Sequence, residues 1–260
     1  MASLPRIVFI TCIIGEYDAI LKEPVTQTYP NTAFLAFVGQ ISLLKCAENT
    51  VWTLAHADKH ASPPGMINSF DNNQHTFNIA KYYKCQAYKC PELQDADIIV
   101  WLDGSIQITN PQCAEYLVEK ILAGSDMVAY NHEMRNCFFE ESLASIDKRY
   151  KSEFWFNQPQ PYQDVDAQAA AYLAEGCPTA SGLWITCMLA YHIKKDNIKE
   201  FMDAWYHEIL SKTTQDQIAF PYLVWKLKPN LYTLPDEIYT GNRAHFYTDM
   251  YVKHNHSHYS

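Results

Sequence analysis

The sequence predicts an α/β domain with a mostly parallel central sheet flanked by helices. Three observations carry that expectation. Short apolar runs rich in β-branched and aromatic residues alternate with segments of helical period along all 260 residues. No internal repeat, low-complexity tract or linker interrupts the alternation, so one domain is expected over 1–260. One apolar run, DIIVWLDGSIQI at 97–108, halts at Asp103-Gly104-Ser105, and open α/β sheets bind ligands at such strand ends.

The elements follow in order. Residues 6–13, 33–38 and 51–55 are short, apolar and β-favouring, and read as strands. ASPPG at 61–65 and DNNQ at 71–74 mark a loop. Residues 73–89 have helical spacing, with Phe77, Ala80, Lys81 and Lys84 on neighbouring turns, and Pro91 stops the helix. The strand of 97–108 comes next. Asn110-Pro111 opens a helix over 112–122, followed by a strand at 126–130 and helices at 138–150 and 164–173. The latter two are separated by the loop NQPQPYQD. GLWITCML at 182–189 is a strand expected at the centre of the sheet. Residues 196–210 form an amphipathic helix with Ile198, Phe201, Met202, Trp205 and Ile209 on one face. TQDQIAFPYLVWK is a last helix, kinked or restarted near Pro221. The end, KHNHSHYS, is polar and rich in histidine.

Composition narrows the function classes. At 48% hydrophobic and 14% aromatic the chain can bury a substantial core. A net charge of -9 without a Lys/Arg block argues against a nucleic-acid partner. The apolar start, RIVFITCII, is too short to span a membrane and lacks a small-residue cleavage pattern, so it reads as a core strand. No other run is long and apolar enough for a transmembrane segment. The eight cysteines include no CxxC pair, and several sit in apolar runs as small hydrophobes. Reduced thiols and a cytoplasmic setting are therefore expected.

Asp103-Gly104-Ser105 has two readings. It is a turn between two strands, since Asp-Gly is a common hairpin signal. Or it presents a carboxylate and a hydroxyl at a ligand-binding edge, suited to Mg²⁺ or Mn²⁺ with substrate phosphates.

Four stretches taken together bear a resemblance. They are IVFITCIIGEYDAILKEP, through Gly15, Tyr17, Asp18 and Pro24; NIAKYYKCQAYKCPELQDADIIVWLDGSIQI, through Lys81, Lys84, Trp101, Leu102, Asp103 and Gly104; NHEMRNCFFEE, through His132, Arg135, Cys137, Glu140 and Glu141; and QDQIAFPYLVWK, through Asp216 and Gln217. In that order they resemble a family of glycosyltransferase-like domains from plant mucilage-related and turgor-related proteins and from bacteria. The resemblance covers about 7–226 and implies a Rossmann-like GT-A fold. Its nucleotide-binding half would span about 1–110, its acceptor-binding half about 111–245, and a His-rich tail 246–260. It implies transfer of a sugar from a nucleotide-sugar donor, with UDP as the expected nucleotide, to a hydroxyl of a glycan or glycoside acceptor, assisted by Mn²⁺ or Mg²⁺. Two positions depart from the pattern. Asp-Gly-Ser replaces the two-acid Asp-x-Asp common in GT-A enzymes, and Gln215 stands where an Arg is expected.

Each implied site residue has a plainer reading beside it. Thr11, Tyr17 and Asp18 would hold the base, or Asp18 would simply cap a helix. Lys81 and Lys84 would meet the diphosphate, or lie solvated on a helix face. Trp101 and Gln217 would line the substrate site. Asp103 and Ser105 would bind the metal, joined by His254 or His256 if the tail closes over the nucleotide; otherwise the tail is a polar end. His132 would bind acceptor or act as a base, and Arg135 would bind phosphate or pair with Glu140 or Glu141. Asp216, Glu140 and Glu141 compete as the acceptor-side carboxylate, and Asp216 alternatively serves a helix N-terminus. A non-catalytic nucleotide-sugar or carbohydrate-binding module is the competing function. A metal-dependent hydrolase or nucleotidyltransferase would want more clustered acids.

Overall fold

The computed structural model describes residues 3–14, 18, 20–39, 47, 49–57, 75–132, 134–146, 165–234 and 250–254. The expected loops at 61–65 and 71–74 and the loop before 165 lie outside these residues.

The elements in chain order are β1 (Ile7–Ile13), β2 (Thr32–Val38), β3 (Trp52–His56), α1 (His75–Cys85), β4 (Ile98–Leu102), β5 (Ile106–Ile108), α2 (Cys113–Leu122), β6 (Met127–Asn131), α3 (Phe138–Ser145), α4 (Val165–Ala174), β7 (Trp184–His192), α5 (Asp196–Ser211), α6 (Asp216–Leu227), β8 (Leu231–Leu234) and β9 (Tyr251–Lys253). Seven strands form the central sheet in the order β3-β2-β1-β4-β7-β6-β8. β1 runs parallel to β2 and β4, β2 to β3, and β6 to β8. β7 is antiparallel to both neighbours, β4 and β6. The sheet is thus mostly parallel, as the alternation predicts, with one reversed strand inside it.

β1 and β4 are buried along their whole length, which explains why β4 is wholly apolar and β1 apolar but for Thr11. Their side chains divide between two cores by the two-residue period. Val8 and Ile10 join Ile79 and Tyr83 of α1, Phe201 and Trp205 of α5, and Phe220 of α6. Ile7, Phe9 and Ile13 join Leu117 and Ile121 of α2, together with Ile106 and Tyr251.

Three local expectations are corrected. The run 97–108 is two strands that belong to different sheets. Asp103 O accepts the Ile106 amide at 2.8 Å, closing a turn, but β5 then pairs with β9 rather than folding back on β4. α6 continues through the buried Pro221 without a break. No helix starts at Asp18: among the described residues 18 and 20–27 none is helical. β8 and β9 were not foreseen, because four and three residues leave too little pattern to read. Among the described residues no helix is long and apolar enough to cross a membrane.

Candidate active site

β4 ends at Asp103, and four other elements converge on it. α1 brings Lys81 and Lys84, three residues apart on one face. α6 begins with Asp216, whose buried Oδ2 receives Lys81 at 2.8 Å and Lys84 at 2.5 Å. The Thr186 hydroxyl on β7 donates to the same oxygen at 3.3 Å. Lys84 Nζ also lies 3.8 Å from Asp103 Oδ1. That oxygen accepts the Trp101 indole N–H at 2.7 Å. The ammonium of Lys84 sits over the rings of Trp101 and Trp205, 5.6 and 5.3 Å from their centroids. Trp205 Nε1 in turn donates to the Asp216 backbone carbonyl at 2.9 Å. Antiparallel β7 completes the floor, since Cys187 O accepts the Asp103 amide at 2.8 Å.

Exposure grades the four charges. The side chain of Lys84 is 1% exposed, Asp216 9%, Lys81 18% and Asp103 36%. Lys84 is therefore sealed, and the plainer reading of two solvated lysines does not describe it. Burial alone would raise the Asp216 pKa, but Lys81 and Lys84 together hold it well below the usual carboxylate range. Burial works against the charged form of Lys84, yet Asp216 and Asp103 raise its pKa overall. Lys81 goes the other way: burial and the adjacent Lys84 outweigh Asp216, and its pKa falls.

Asp216 is enclosed by positive charge. The sequence suggested an acceptor-side base, but a carboxylate held between two ammonium groups is a weak proton acceptor. Its position makes it the counter-ion that orients both lysines. Trp205 was read as core alone; its fixed indole and its place under Lys84 went unsuspected because neither leaves a trace in sequence spacing.

A second polar group lies beyond β6. Arg135 Nε pairs with Glu141 Oε2 at 2.7 Å, the loop-fixing ion pair that was one of its two readings. His132 Nδ1 accepts the backbone amides of Met134 and Arg135 at 3.1 and 3.0 Å, and its Nε2 lies 2.9 Å from Arg135 Nη2. Glu140, exposed, accepts the Asn136 amide at 2.8 Å. Cys137 caps α3 by accepting the Glu140 amide through sulfur. The buried Gln215 side chain donates to Ser145 Oγ at 2.9 Å, and Ser145 Oγ donates to Glu141 Oε1 at 3.5 Å. The loop after β6 is thereby linked to the residue preceding Asp216. Gln217, half-buried, is the second residue of α6.

The opposite flank of β4 holds Asp18, fully buried, with Lys22 Nζ at 3.9 Å. Gly104 has no positive φ, and a Cβ there would stand in ordinary contact, 3.4 Å from Asp18 Oδ2, which places this carboxylate next to the turn. Beside it is a cavity of about 400 Å³ lined by Ile20, Leu21, Lys22, Glu23, Ala47, Gln107 and His254. Thr11 is buried within β1, its hydroxyl without a hydrogen-bond partner among the described residues, and it does not line the cavity. Tyr17 and His256 lie outside the described residues.

Of the expected metal donors, Asp103, Ser105 and His254 are among the described residues. Ser105 is buried, and its carbonyl accepts the His254 amide at 2.8 Å. His254 Nε2 meets Gln107 Oε1 at 2.7 Å, and Asp103 Oδ1 is engaged by Trp101. Among the described residues no group of three or more His, Cys, Asp or Glu side chains could hold a metal ion. Burial, with Asp103 nearby, pushes the Cys187 thiol up to about 11, and burial pushes Cys113 up to about 12.

A family model described as TOD1/MUCI70, glycosyltransferase-like domain, matches residues 1–245. No curated protein matches the chain.

Proposed function

The chain belongs to the TOD1/MUCI70 glycosyltransferase-like domain family, and from that premise we propose that it transfers a sugar from a nucleotide-sugar donor, a UDP-sugar first among them, to a hydroxyl of a glycan or glycoside. The observation that carries this reading is the charge cluster at the carboxyl end of β4. Glycosyl transfer requires positive charge against the departing diphosphate. Lys81 is the partly exposed cation of the cluster, and Lys84 and Asp216 fix it from behind. Burial, with Lys84 beside it, lowers the Lys81 pKa, and an arriving phosphate would favour its charged form.

The nucleoside is assigned to the cavity beside Asp18, where Ile20 and Leu21 offer apolar surface and Gln107 and His254 offer polar atoms. The acceptor is assigned to the other flank, where His132, Arg135 and Glu140 follow β6. Asp103 is the best-presented carboxylate between the two flanks, and it is the group nominated to orient or deprotonate the acceptor hydroxyl. No step in this scheme passes through a metal. Transfer assisted by Mn²⁺ or Mg²⁺ on Asp103 is the competing form, and the donor set speaks against it.

The test is nucleotide release from UDP-, GDP- and dTDP-sugars. The expected result is turnover of one donor that falls by about 100-fold in Lys81→Ala. Saturable nucleotide binding with no turnover against a panel of acceptors would instead favour a non-catalytic binding module.

A further inference from the structure

Lys84 is unusual among lysines in being sealed while fully engaged. Its ammonium lies 2.5 Å from Asp216 and 3.8 Å from Asp103, between two indole faces, with 1% of the side chain exposed. Two carboxylates from different elements facing one buried cation is the arrangement a divalent metal would ask for. Here the space between them is filled by a covalently attached charge. We propose that Lys84 is the resident cation of this site, standing where a divalent ion would bridge Asp103 and Asp216, so that the site works without a metal.

Three observations support it. The Asp216 oxygen that would face a metal already holds two ammonium groups and the Thr186 hydroxyl. Asp103 Oδ1 is turned to Trp101 and Lys84. The His254 ring is engaged by Gln107, and its backbone amide donates to the Ser105 carbonyl. A fixed ammonium neutralises the two carboxylates with no dependence on metal concentration, and it leaves Lys81 as the cation on the open side. Lys84 does not touch the donor in this scheme. It is a positioning residue for Asp103, Asp216 and, through Asp216, Lys81.

The experiment uses Mn²⁺ alone, read by electron paramagnetic resonance of the free ion, and so does not depend on the identity of the donor. Wild type is expected to take up no Mn²⁺ that Asp103→Asn abolishes. Lys84→Ala, which empties the space between the carboxylates, is expected to gain Mn²⁺ affinity by at least about tenfold and to lose the gain when Asp103→Asn is added. A merely structural lysine would produce no such gain. Mn²⁺ uptake by wild type that disappears in Asp103→Asn overturns the proposal, as does a folded Lys84→Ala that gains none. Should Lys84→Ala fail to fold, the wild-type and Asp103→Asn measurements decide alone. The inference rests on the donor-site reading only for its consequence, which a UDP titration with EDTA or with Mn²⁺ separates. Binding that needs Mn²⁺ sinks this inference and spares the donor site, while absence of binding in both conditions counts against the donor site.

Discussion

At the scale of single residues the site is organised by one buried carboxylate. Asp216 serves two ammonium groups, so Asp216→Asn leaves Lys84 sealed with only the more distant Asp103 as partner. Removing one member of a buried ion pair costs about 3–5 kcal/mol. Urea unfolding of Asp216→Asn should show a loss of that order, well above the effect of Asp95→Asn, whose surface pair with Arg6 is worth little. The sign of the pH dependence follows from the direction of the shift. The Asp216 pKa is depressed in the folded chain, so its contribution is complete above the unfolded value of about 3.9 and fades as pH falls towards the folded value. The Lys84 pKa is raised, so its contribution is complete below about 10.4 and fades as pH climbs through the folded value. The stability curve of Asp216→Asn should therefore be flatter than wild type at the acid end. A curve parallel to wild type below pH 4 would contradict this assignment. None of it is legible in the sequence. Lysine is a surface residue by habit, and only the packing of α1 against α5 and β1 shows that Lys84 is enclosed while Lys81 is less so.

At the scale of elements, β9 clasps the Asp-Gly-Ser turn. It pairs with β5 through Ile106, Gln107 and Ile108. Tyr251 is buried, meets Tyr130 edge-to-face with centroids 5.4 Å apart, and its hydroxyl lies 3.7 Å from Cys187 Sγ. Tyr251→Ala should cost about 3 kcal/mol, within the range for deleting a buried ring, and should weaken nucleotide binding by loosening the cavity wall at Gln107 and His254. Unchanged affinity in a destabilised variant would show that the clasp is structural only. The long elements were legible because length gives a pattern room to repeat. α5 carries Ile198, Phe201, Met202, Trp205 and Ile209 on one buried face, as its spacing requires. β4 is apolar throughout, and β1 apolar but for Thr11, because both faces are covered. β8 and β9 were not separable from loop, and the partner of β5 lies far along the chain, where no local signal reaches it. The reversed direction of β7 was likewise hidden, since periodicity carries no sense of direction.

At the scale of the whole molecule, the sheet brings the functional stretches to one edge. β1 and β4 are parallel neighbours, so Asp18 and Asp103 follow at adjacent strand ends. β7, beside β4, contributes Thr186, and α6 starts over it with Asp216. The order of motifs in the sequence thus picked out residues that the fold gathers at this edge, while their grouping around Asp18, around Lys84 and after β6 required the fold. Lys81 lies at that centre, and truncating it leaves the Lys84–Asp216 pair intact, so Lys81→Ala should remain folded. The most direct measurement is thermal unfolding of wild type and Lys81→Ala with UDP, GDP and dTDP. At ~100 times its dissociation constant one nucleotide should stabilise wild type by about 2.7 kcal/mol, and Lys81→Ala should lose most of that gain. No stabilisation by any of the three, or an equal gain in Lys81→Ala, would contradict the claim that this edge of the sheet is a nucleotide-sugar site.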